Sequence, residues 1–223
     1  MLLIDQFLAP DKLAELEQIL KKVPFIDGKG TGGLHGSQIK NNRQADVRDA
    51  AYAPANNLIL QAIMNCEILQ SYALPHVMTP VTFAKYGPGM RYADHVDAAI
   101  QFVPNRFLRT DISFTIFLAP PESYEGGELV VDSMGAERAV KGNAGDMFVY
   151  HTGITHRVNE VTSGWRKVAI GWIQSLVAGH EHREILYNLL RARTRTLESA
   201  GRGETYDLIN SAYVNLQRLF AQP

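Results

Sequence analysis

The sequence is poor in cysteine, in net charge and in long apolar runs. Cys66 is its one cysteine, which excludes an intramolecular disulfide framework and a cysteine-rich zinc module and favours a reducing, cytoplasmic setting. The 22 basic and 23 acidic residues leave a formal charge of -1, so no overall field draws the chain to nucleic acid or to an anionic membrane. No apolar run is long enough to cross a bilayer, and the first residues lack the basic start of a secretory signal.

The chain does have the composition of a globular protein with a sizeable core, with 46% hydrophobic and 20% charged residues. Apolar residues at helical spacing mark its two ends. We expect residues 1–176 to form the principal domain and residues 177–223 to form a helical extension. The predicted helices are an opening helix over 8–22, a second helix over 54–71, and a C-terminal hairpin that turns at 199–203.

The middle of the chain has the two-residue period of β-strands. Ile112, Phe114, Ile116 and Leu118 alternate with other residues, as expected of a strand with one buried face. Several short strands of this kind predict a sandwich or barrel, so the fold class is mainly β with flanking helices. The predicted strands are 81–86, 112–118, 128–131, 146–150 and 167–173.

Three residues of this region have the chemistry of a metal site. His95 and Asp97 are two positions apart, and on an extended strand such positions point to the same side. His156 follows the predicted strand 146–150 and is the candidate third ligand. Two histidines and one carboxylate leave several coordination positions open, and this set is typical of non-haem Fe(II) oxygenases.

Arg166 suits the co-substrate of such a site. A 2-oxo acid chelates iron through its carboxylate and keto oxygens, and the distal carboxylate of 2-oxoglutarate then requires a cation. Arginine presents a planar fork that binds a carboxylate through two hydrogen bonds, whereas Lys167 would act as a point charge. Strand alternation also places Arg166 with Val168 and Ile170 on one face and Lys167 on the other.

Together these residues resemble those of the prolyl 4-hydroxylase-type Fe(II)/2-oxoglutarate oxygenases, and more closely the bacterial PKHD-type hydroxylases, including the PiuC-like proteins associated with iron uptake. The resemblance covers essentially the whole chain. The residues that carry it are Tyr86-Gly87-Pro88-Gly89, Tyr92, His95-Val96-Asp97, Glu125-Gly126-Gly127-Glu128-Leu129, Gly145-Asp146, His156 and Arg166.

The resemblance implies a double-stranded β-helix, or jelly-roll, core at about 78–176. It implies Fe(II) bound by His95, Asp97 and His156, 2-oxoglutarate bound by Arg166 with Tyr86 nearby, and L-ascorbate as a further cofactor. The expected reaction hydroxylates a small-molecule or peptide substrate with O2, while 2-oxoglutarate is decarboxylated to succinate and CO2. The eukaryotic-type enzymes usually have Lys where this chain has Arg166, so their substrate preference does not transfer with the fold.

Two other functions use similar ligands. A cupin-like metal-binding or sensor protein would hold the metal without turnover, but it does not require an arginine aimed at a distal carboxylate. A zinc hydrolase also accepts histidine and carboxylate ligands, yet no recognisable general-base motif is present. Arg166 therefore discriminates in favour of the oxygenase.

The other histidines and the arginine run near the C-terminus are not expected to bind the metal or nucleic acid. His151 is expected near the site or on the surface, and the pair His180 and His182 at a solvated helix start. His35 has no partner that the sequence reveals. The alternating arginines at 191, 193 and 195 lack interleaved aromatic residues and do not indicate a nucleic-acid surface. We expect the substrate-binding rim in segments 28–36 and 100–109, and a homo-oligomer contact on the C-terminal helices.

Overall fold

The structure is a computed structural model that describes residues 1–31, 38–103, 105–133 and 135–222. The helices are α1 (Pro10–Leu20), α2 (Tyr52–Asn65), α3 (Glu67–Ala73), α4 (His180–Ala200) and α5 (Glu204–Phe220). The strands are β1 (Leu2–Ile4), β2 (Phe25–Asp27), β3 (Arg43–Ala45), β4 (Pro75–Met78), β5 (Thr82–Tyr86), β6 (Tyr92–His95), β7 (Ile100–Val103), β8 (Arg106–Arg109), β9 (Ile112–Phe117), β10 (Tyr124–Gly126), β11 (Leu129–Ser133), β12 (Ala136–Val140), β13 (Met147–His151), β14 (His156–Val158), β15 (Val161–Gly164) and β16 (Arg166–Ser175).

Two antiparallel sheets form the centre of the molecule. The major sheet has the order β1-β13-β9-β16-β5-β3-β2, and β4 also pairs with β16. The minor sheet has the order β12-β11-β14-β6. Two further pairs, β10 with β15 and β7 with β8, form small separate ribbons.

Strand alternation gives the major sheet two buried faces. One face, which we call the helix face, carries Phe83 and Ala169 and packs against α1, α2 and α3. The other, which we call the cavity face, carries Tyr86 and Val168 and packs against the minor sheet. Strand β9 is buried at every residue because it is covered from both sides. Two facing antiparallel sheets make up the predicted jelly-roll core.

The opening helix is confirmed and begins at Pro10, whose missing N–H costs nothing in the first turn of a helix. The predicted helix over 54–71 is instead two helices, because Cys66 adopts an extended backbone with φ -85° and ψ 96°. The apolar period continues across this break since both helices pack on the same helix face. Periodicity alone therefore did not reveal the interruption.

The C-terminal helices form a hairpin as expected, with the turn at Gly201 to Gly203. Their contact has its own small cluster, centred on Val177, Leu186 and Tyr213. Among the described residues, no helix has the length and apolarity that crossing a membrane demands. The short strands β12 and β15 were not predicted, because exposed residues dominate them and leave no apolar alternation to recognise.

Candidate functional site

The two histidines come together through the pairing of two minor-sheet strands. His95 is the last residue of β6 and His156 is the first residue of β14. They are direct cross-strand partners, and their ring centroids are 4.2 Å apart. Residues far apart in the sequence thus present two imidazoles side by side.

Asp97 completes the cluster, but it does so from outside the strand. Strand β6 ends at His95, so the expectation that simple strand alternation aligns His95 and Asp97 is wrong. The segment after β6 instead places the Asp97 carboxylate beside both histidines. Its Oδ1 lies 3.6 Å from His95 Nε2 and its Oδ2 lies 3.7 Å from His156 Nε2. One ligand atom from each of the three residues lies within 4.8 Å of the others.

Hydrogen bonds hold each group in this arrangement. The His95 Nδ1 lies 2.8 Å from the Ala93 carbonyl oxygen, and the His156 Nδ1 lies 3.0 Å from the Ile154 carbonyl oxygen. A carbonyl only accepts hydrogen bonds, so each Nδ1 carries the proton and each Nε2 presents a lone pair to the centre. Both imidazoles therefore present an Nε2 lone pair to the Asp97 carboxylate side of the cluster, in the orientation that a metal ligand needs.

Asp97 has two donors of its own. The Trp172 indole Nε1 donates to Asp97 Oδ2 over 2.8 Å, and the Ser113 hydroxyl donates to the same oxygen over 3.1 Å. These bonds engage Oδ2 and leave Oδ1 for another partner. Neither donor was predicted from the sequence. Trp172 on β16 and Ser113 on β9 are remote from Asp97 in the chain, and no local sequence motif links them to it.

The ionisation of the cluster also suits a cation. Burial lowers the pKa of His156, which keeps its imidazole neutral and its lone pair available. Burial raises the pKa of the Asp97 carboxyl, but the contacts with His95 and His156 and the hydrogen bond from Trp172 together outweigh burial, so the net direction of this pKa is downward. Imidazole nitrogens together with a carboxylate are donor types that suit a divalent transition metal.

Arg166 begins β16 and points to the cavity face, as predicted. Its side chain is only 2% exposed, and its Nε has no hydrogen-bond partner among the described residues. Burial lowers the pKa of this guanidinium, and the nearby tyrosines Tyr86, Tyr124 and Tyr150 partly oppose that change. Among the described residues no carboxylate forms a salt bridge with this guanidinium, although the charge of Glu128 also raises its pKa, and an unpaired buried cation is costly.

Gly127 makes room for the Arg166 side chain. It has a φ of +69°, and a Cβ at this position would lie 3.1 Å from Arg166 Cδ and 2.8 Å from a Val161 methyl group. The glycine pair at 126 and 127 thus has the positive φ that its sequence suggests.

Tyr86 lies beside Arg166, as its cross-strand partner on β5. The guanidinium carbon of Arg166 is 5.1 Å from the centroid of the Tyr86 ring. The Asn42 amide Nδ2 donates to the Tyr86 hydroxyl over 2.8 Å, so that hydroxyl can direct its own proton elsewhere. Asn42 was missed, although the alternation of the polar residues Lys40, Asn42 and Gln44 is the signal of a strand that faces a polar cavity.

One cavity of about 660 Å³ joins these features, since His95, Asp97, His156, Tyr86 and Arg166 all line it. The ligand set is at one part of its wall and the buried arginine at another. The residues present therefore fit both a divalent iron and a diacid that chelates it.

The other candidates lie elsewhere. His151 ends β13 and stacks on His180 at a centroid distance of 4.5 Å, away from the metal cluster. His182 stacks on Phe220 at 3.9 Å. His35 and most of segment 28–36 lie outside the described residues. Segment 100–109 forms the β7–β8 ribbon, which contributes Phe102 and Val103 to the cavity wall.

Comparison with known proteins agrees with this geometry. The model of the 2OG-Fe(II) oxygenase superfamily matches residues 81–174. A PKHD-type hydroxylase of Rippkaea orientalis is 37% identical over 217 residues, which cover 97% of each chain. A PKHD-type hydroxylase of Alteromonas mediterranea is 39% identical over 226 residues, which cover 100% of each chain.

Solved structures show the same fold at lower identity. A Pseudomonas putida prolyl-4-hydroxylase has a TM-score of 0.53 at 20% identity, covering 78% of this chain and 91% of that one. The viral collagen prolyl hydroxylase of Paramecium Bursaria Chlorella virus-1, in its 2OG complex, has a TM-score of 0.53 at 19% identity, covering 78% and 94%. Given its identity to curated relatives over its full length, the chain belongs to the PKHD-type hydroxylases of the 2OG-Fe(II) oxygenase superfamily and is an iron(II)- and 2-oxoglutarate-dependent hydroxylase.

Proposed function

We propose that His95, Asp97 and His156 bind the Fe(II) of this hydroxylase and that Arg166 binds the distal carboxylate of 2-oxoglutarate. One observation carries the assignment: a guanidinium that is only 2% exposed, with an unpartnered Nε, lines the same cavity as a set of three oriented ligands. A diacid with an adjacent keto group would satisfy both at once.

Iron(II) with 2-oxoglutarate supplies activation of O2: one oxygen atom hydroxylates a C–H bond of the substrate, and the other enters succinate as CO2 leaves. The chain's own residues orient the participants. Trp172 and Ser113 hold Asp97 through Oδ2, so Oδ1 is the oxygen that binds the metal. Asn42 donates to the Tyr86 hydroxyl, which frees that hydroxyl to donate to the distal carboxylate beside Arg166.

The test is an anaerobic titration of the apoprotein with Fe(II) and then with 2-oxoglutarate. A chelated 2-oxo acid gives a weak visible metal-to-ligand charge-transfer band. We expect this band in the wild type, a much higher 2-oxoglutarate requirement in Arg166→Ala, and a wild-type requirement in Lys167→Ala. Lys167 is the matched control because it neighbours Arg166 and is exposed on the opposite side of β16.

The outcomes separate the candidate functions. If Fe(II) binds and no band forms in the wild type, the assigned co-substrate site is wrong, and a cupin-like metal-binding or sensor protein becomes the better description. If the band forms with equal ease in Arg166→Ala, then iron binding stands and another residue binds the distal carboxylate.

The proposal also covers a further cofactor, the location of the protein and its assembly. The family resemblance supports L-ascorbate, which would prolong turnover in assays with excess 2-oxoglutarate. The single cysteine supports a cytoplasmic setting.

Residues 1–176 would form the oxygenase domain and residues 177–223 would form the helical extension. Leu208 and Leu219 of this extension are exposed, which favours a homo-oligomer contact. Sedimentation of the wild type beside Leu208→Ser would test that contact.

A further inference from the structure

A buried lysine lies in the cavity wall, separate from the iron ligands and from Arg166. Lys40 is only 6% exposed, and it lines the cavity together with Thr31 and Gln44. Burial lowers its pKa to about 8, while the charge of Asp97 acts in the opposite direction. Burial at this position disfavours the charged form of the Lys40 amine. A compensating interaction within the cavity is therefore expected.

The hydrogen bonds of Lys40 prepare it for a ligand. Its Nζ donates to the Thr31 hydroxyl over 2.7 Å. That hydroxyl in turn donates towards Gln44 Oε1 at 2.8 Å and the Gly28 carbonyl oxygen at 3.1 Å. Because Gln44 accepts through its oxygen, its amide nitrogen is the group left to donate. The described residues offer that nitrogen no acceptor, and Gln44 lines the cavity.

Lys40 has no salt-bridge partner among the described residues. Asp97 is the acidic group whose charge affects its pKa, and that carboxylate belongs to the proposed iron site. Residues 32–37 have the sequence Gly-Gly-Leu-His-Gly-Ser, so they contain no side-chain carboxylate either. A buried ammonium of this kind is stabilised best by an anion that binds from outside.

The position of Lys40 places such an anion near the reacting centre. Its Nζ is 5.3 Å from the centroid of the Tyr92 ring, and the Tyr92 ring stacks on His95 at a centroid distance of 3.7 Å. Tyr92 therefore contacts both Lys40 and the proposed iron ligand His95. Arg166 is beside Tyr86 instead, so the two buried cations are associated with different tyrosines.

We propose that Lys40, with the amide of Gln44, binds a carboxylate of the primary substrate, so the enzyme hydroxylates a small carboxylic acid or a chain that ends in one. This inference rests on the proposed function, because it takes Arg166 as the cation for 2-oxoglutarate. One ammonium and one amide donor match the single charge and two oxygens of a carboxylate.

A purely structural role for Lys40 predicts something different. If the lysine only supports Tyr92 against His95 through its contact with the ring, its removal should weaken Fe(II) binding and leave ligand selectivity unchanged. If it instead binds 2-oxoglutarate, its removal should raise the 2-oxoglutarate requirement as strongly as Arg166→Ala does. A test must separate these roles from substrate binding.

The experiment measures binding without turnover. Anaerobic protein with Fe(II) and saturating 2-oxoglutarate is titrated calorimetrically with matched pairs of probes: the N-acetyl derivatives of glycine, leucine, phenylalanine and proline, each as the free acid and as the primary amide. The proteins are the wild type, Lys40→Met, Lys40→Arg and the control Lys85→Met. Lys85 also contacts aromatic rings, at 4.4 Å from Phe25 and 5.4 Å from Trp165, but it does not line this cavity.

We expect at least one acid to bind the wild type about tenfold more tightly than its amide, which corresponds to about 1.4 kcal/mol. The ratio should fall to about one in Lys40→Met, recover in Lys40→Arg, and stay at the wild-type value in Lys85→Met. The charge-transfer band should still form in every variant.

Each other result overturns the inference. Wild type that prefers no acid to its amide, or Lys40→Met that keeps the preference, excludes a carboxylate subsite at Lys40. Lys40→Met that raises the 2-oxoglutarate requirement of the charge-transfer band as strongly as Arg166→Ala does assigns Lys40 to the co-substrate. A wild type with no charge-transfer band contradicts the proposed function itself, whereas a normal band without acid preference contradicts only this inference.

Discussion

The two faces of the major sheet come from the same strands, yet charged side chains are buried on the cavity face and remain near solvent on the other. On β16, Arg166 turns to the cavity face and is almost fully buried, while Lys167 is exposed on the other side. On the neighbouring β5, Tyr86 is buried beside Arg166, and Lys85 faces Lys167. Adjacent residues of one pair of strands thus place one cation in the site and two cations near solvent.

This difference shows where the molecule accepts unfavourable burial. The core of the helix face is built from residues such as Phe83, Ile116 and Ala169, which contribute stability by leaving water. The cavity face buries Arg166 and the cavity wall buries Lys40, and both have lowered pKa values because burial opposes their charge. Groups that destabilise the fold are concentrated where ligands would compensate them.

The largest expected difference is in Fe(II) affinity, between variants of two histidines on either side of one loop. His156→Ala removes a proposed ligand on the cavity side, and we expect Fe(II) affinity to fall by more than about 100-fold, beyond the loss typical of an outer-shell partner. His151→Ala, on the helix side of β13, should change it by less than about twofold. Equilibrium dialysis with Fe(II) under anaerobic conditions measures both, and equal losses would show that the cluster is not the iron site.

The next test predicts opposite effects on affinity and on stability. Arg166→Met should weaken 2-oxoglutarate binding about 100-fold, because charge-assisted hydrogen bonds are lost. The same change should raise the free energy of unfolding of the apoprotein by about 1–3 kcal/mol, since an uncompensated buried charge disappears. Lys167→Met should leave both nearly unchanged. Denaturant unfolding without metal or 2-oxoglutarate supplies the stability values, and a destabilised Arg166→Met would contradict the idea of an unpaired cation.

The two tryptophans give a smaller contrast. Trp172→Phe removes the indole donor to Asp97 Oδ2 while it keeps an aromatic ring, so Fe(II) affinity should fall about tenfold through loss of carboxylate orientation. Trp165→Phe alters an exposed ring outside the cavity and should have little effect. Competition with a metal-binding dye resolves the two variants, and an unchanged affinity in Trp172→Phe would remove this residue from the site.

The smallest effect is expected from two neighbouring asparagines. Asn42→Ala removes the hydrogen bond to the Tyr86 hydroxyl, and the 2-oxoglutarate requirement should rise about fivefold, or about 1 kcal/mol, as for one hydrogen bond. Asn41→Ala, at an exposed position, should match the wild type. The charge-transfer titration distinguishes them. If Tyr86→Phe has no effect either, then the tyrosine does not contact the co-substrate.

Much of this architecture could be predicted from local patterns. The alternation over 112–118 predicted β9, which spans Ile112–Phe117. The predicted strand 167–173 lies within β16, which begins one residue earlier at Arg166, and its alternation predicted that Arg166 and Lys167 face opposite sides. The two histidines, the aspartate and the arginine were chosen as candidates because their side chains have the required chemistry, and chemistry is a property of residue type.

Other features depended on contacts between distant parts of the chain. Asp97 reaches the histidines from beyond the end of β6, and Trp172 of β16 holds it there. Asn42 donates a hydrogen bond to the Tyr86 hydroxyl, and Lys40 lines the cavity. Neither residue belongs to a sequence motif from which this contact could be predicted. Residue types and local periodicity indicated which side chains have the chemistry to bind iron and a carboxylate and which segments alternate as strands. Which of these side chains meet depends on sheet pairing and on the burial that it imposes, because both bring together residues that are remote in the chain.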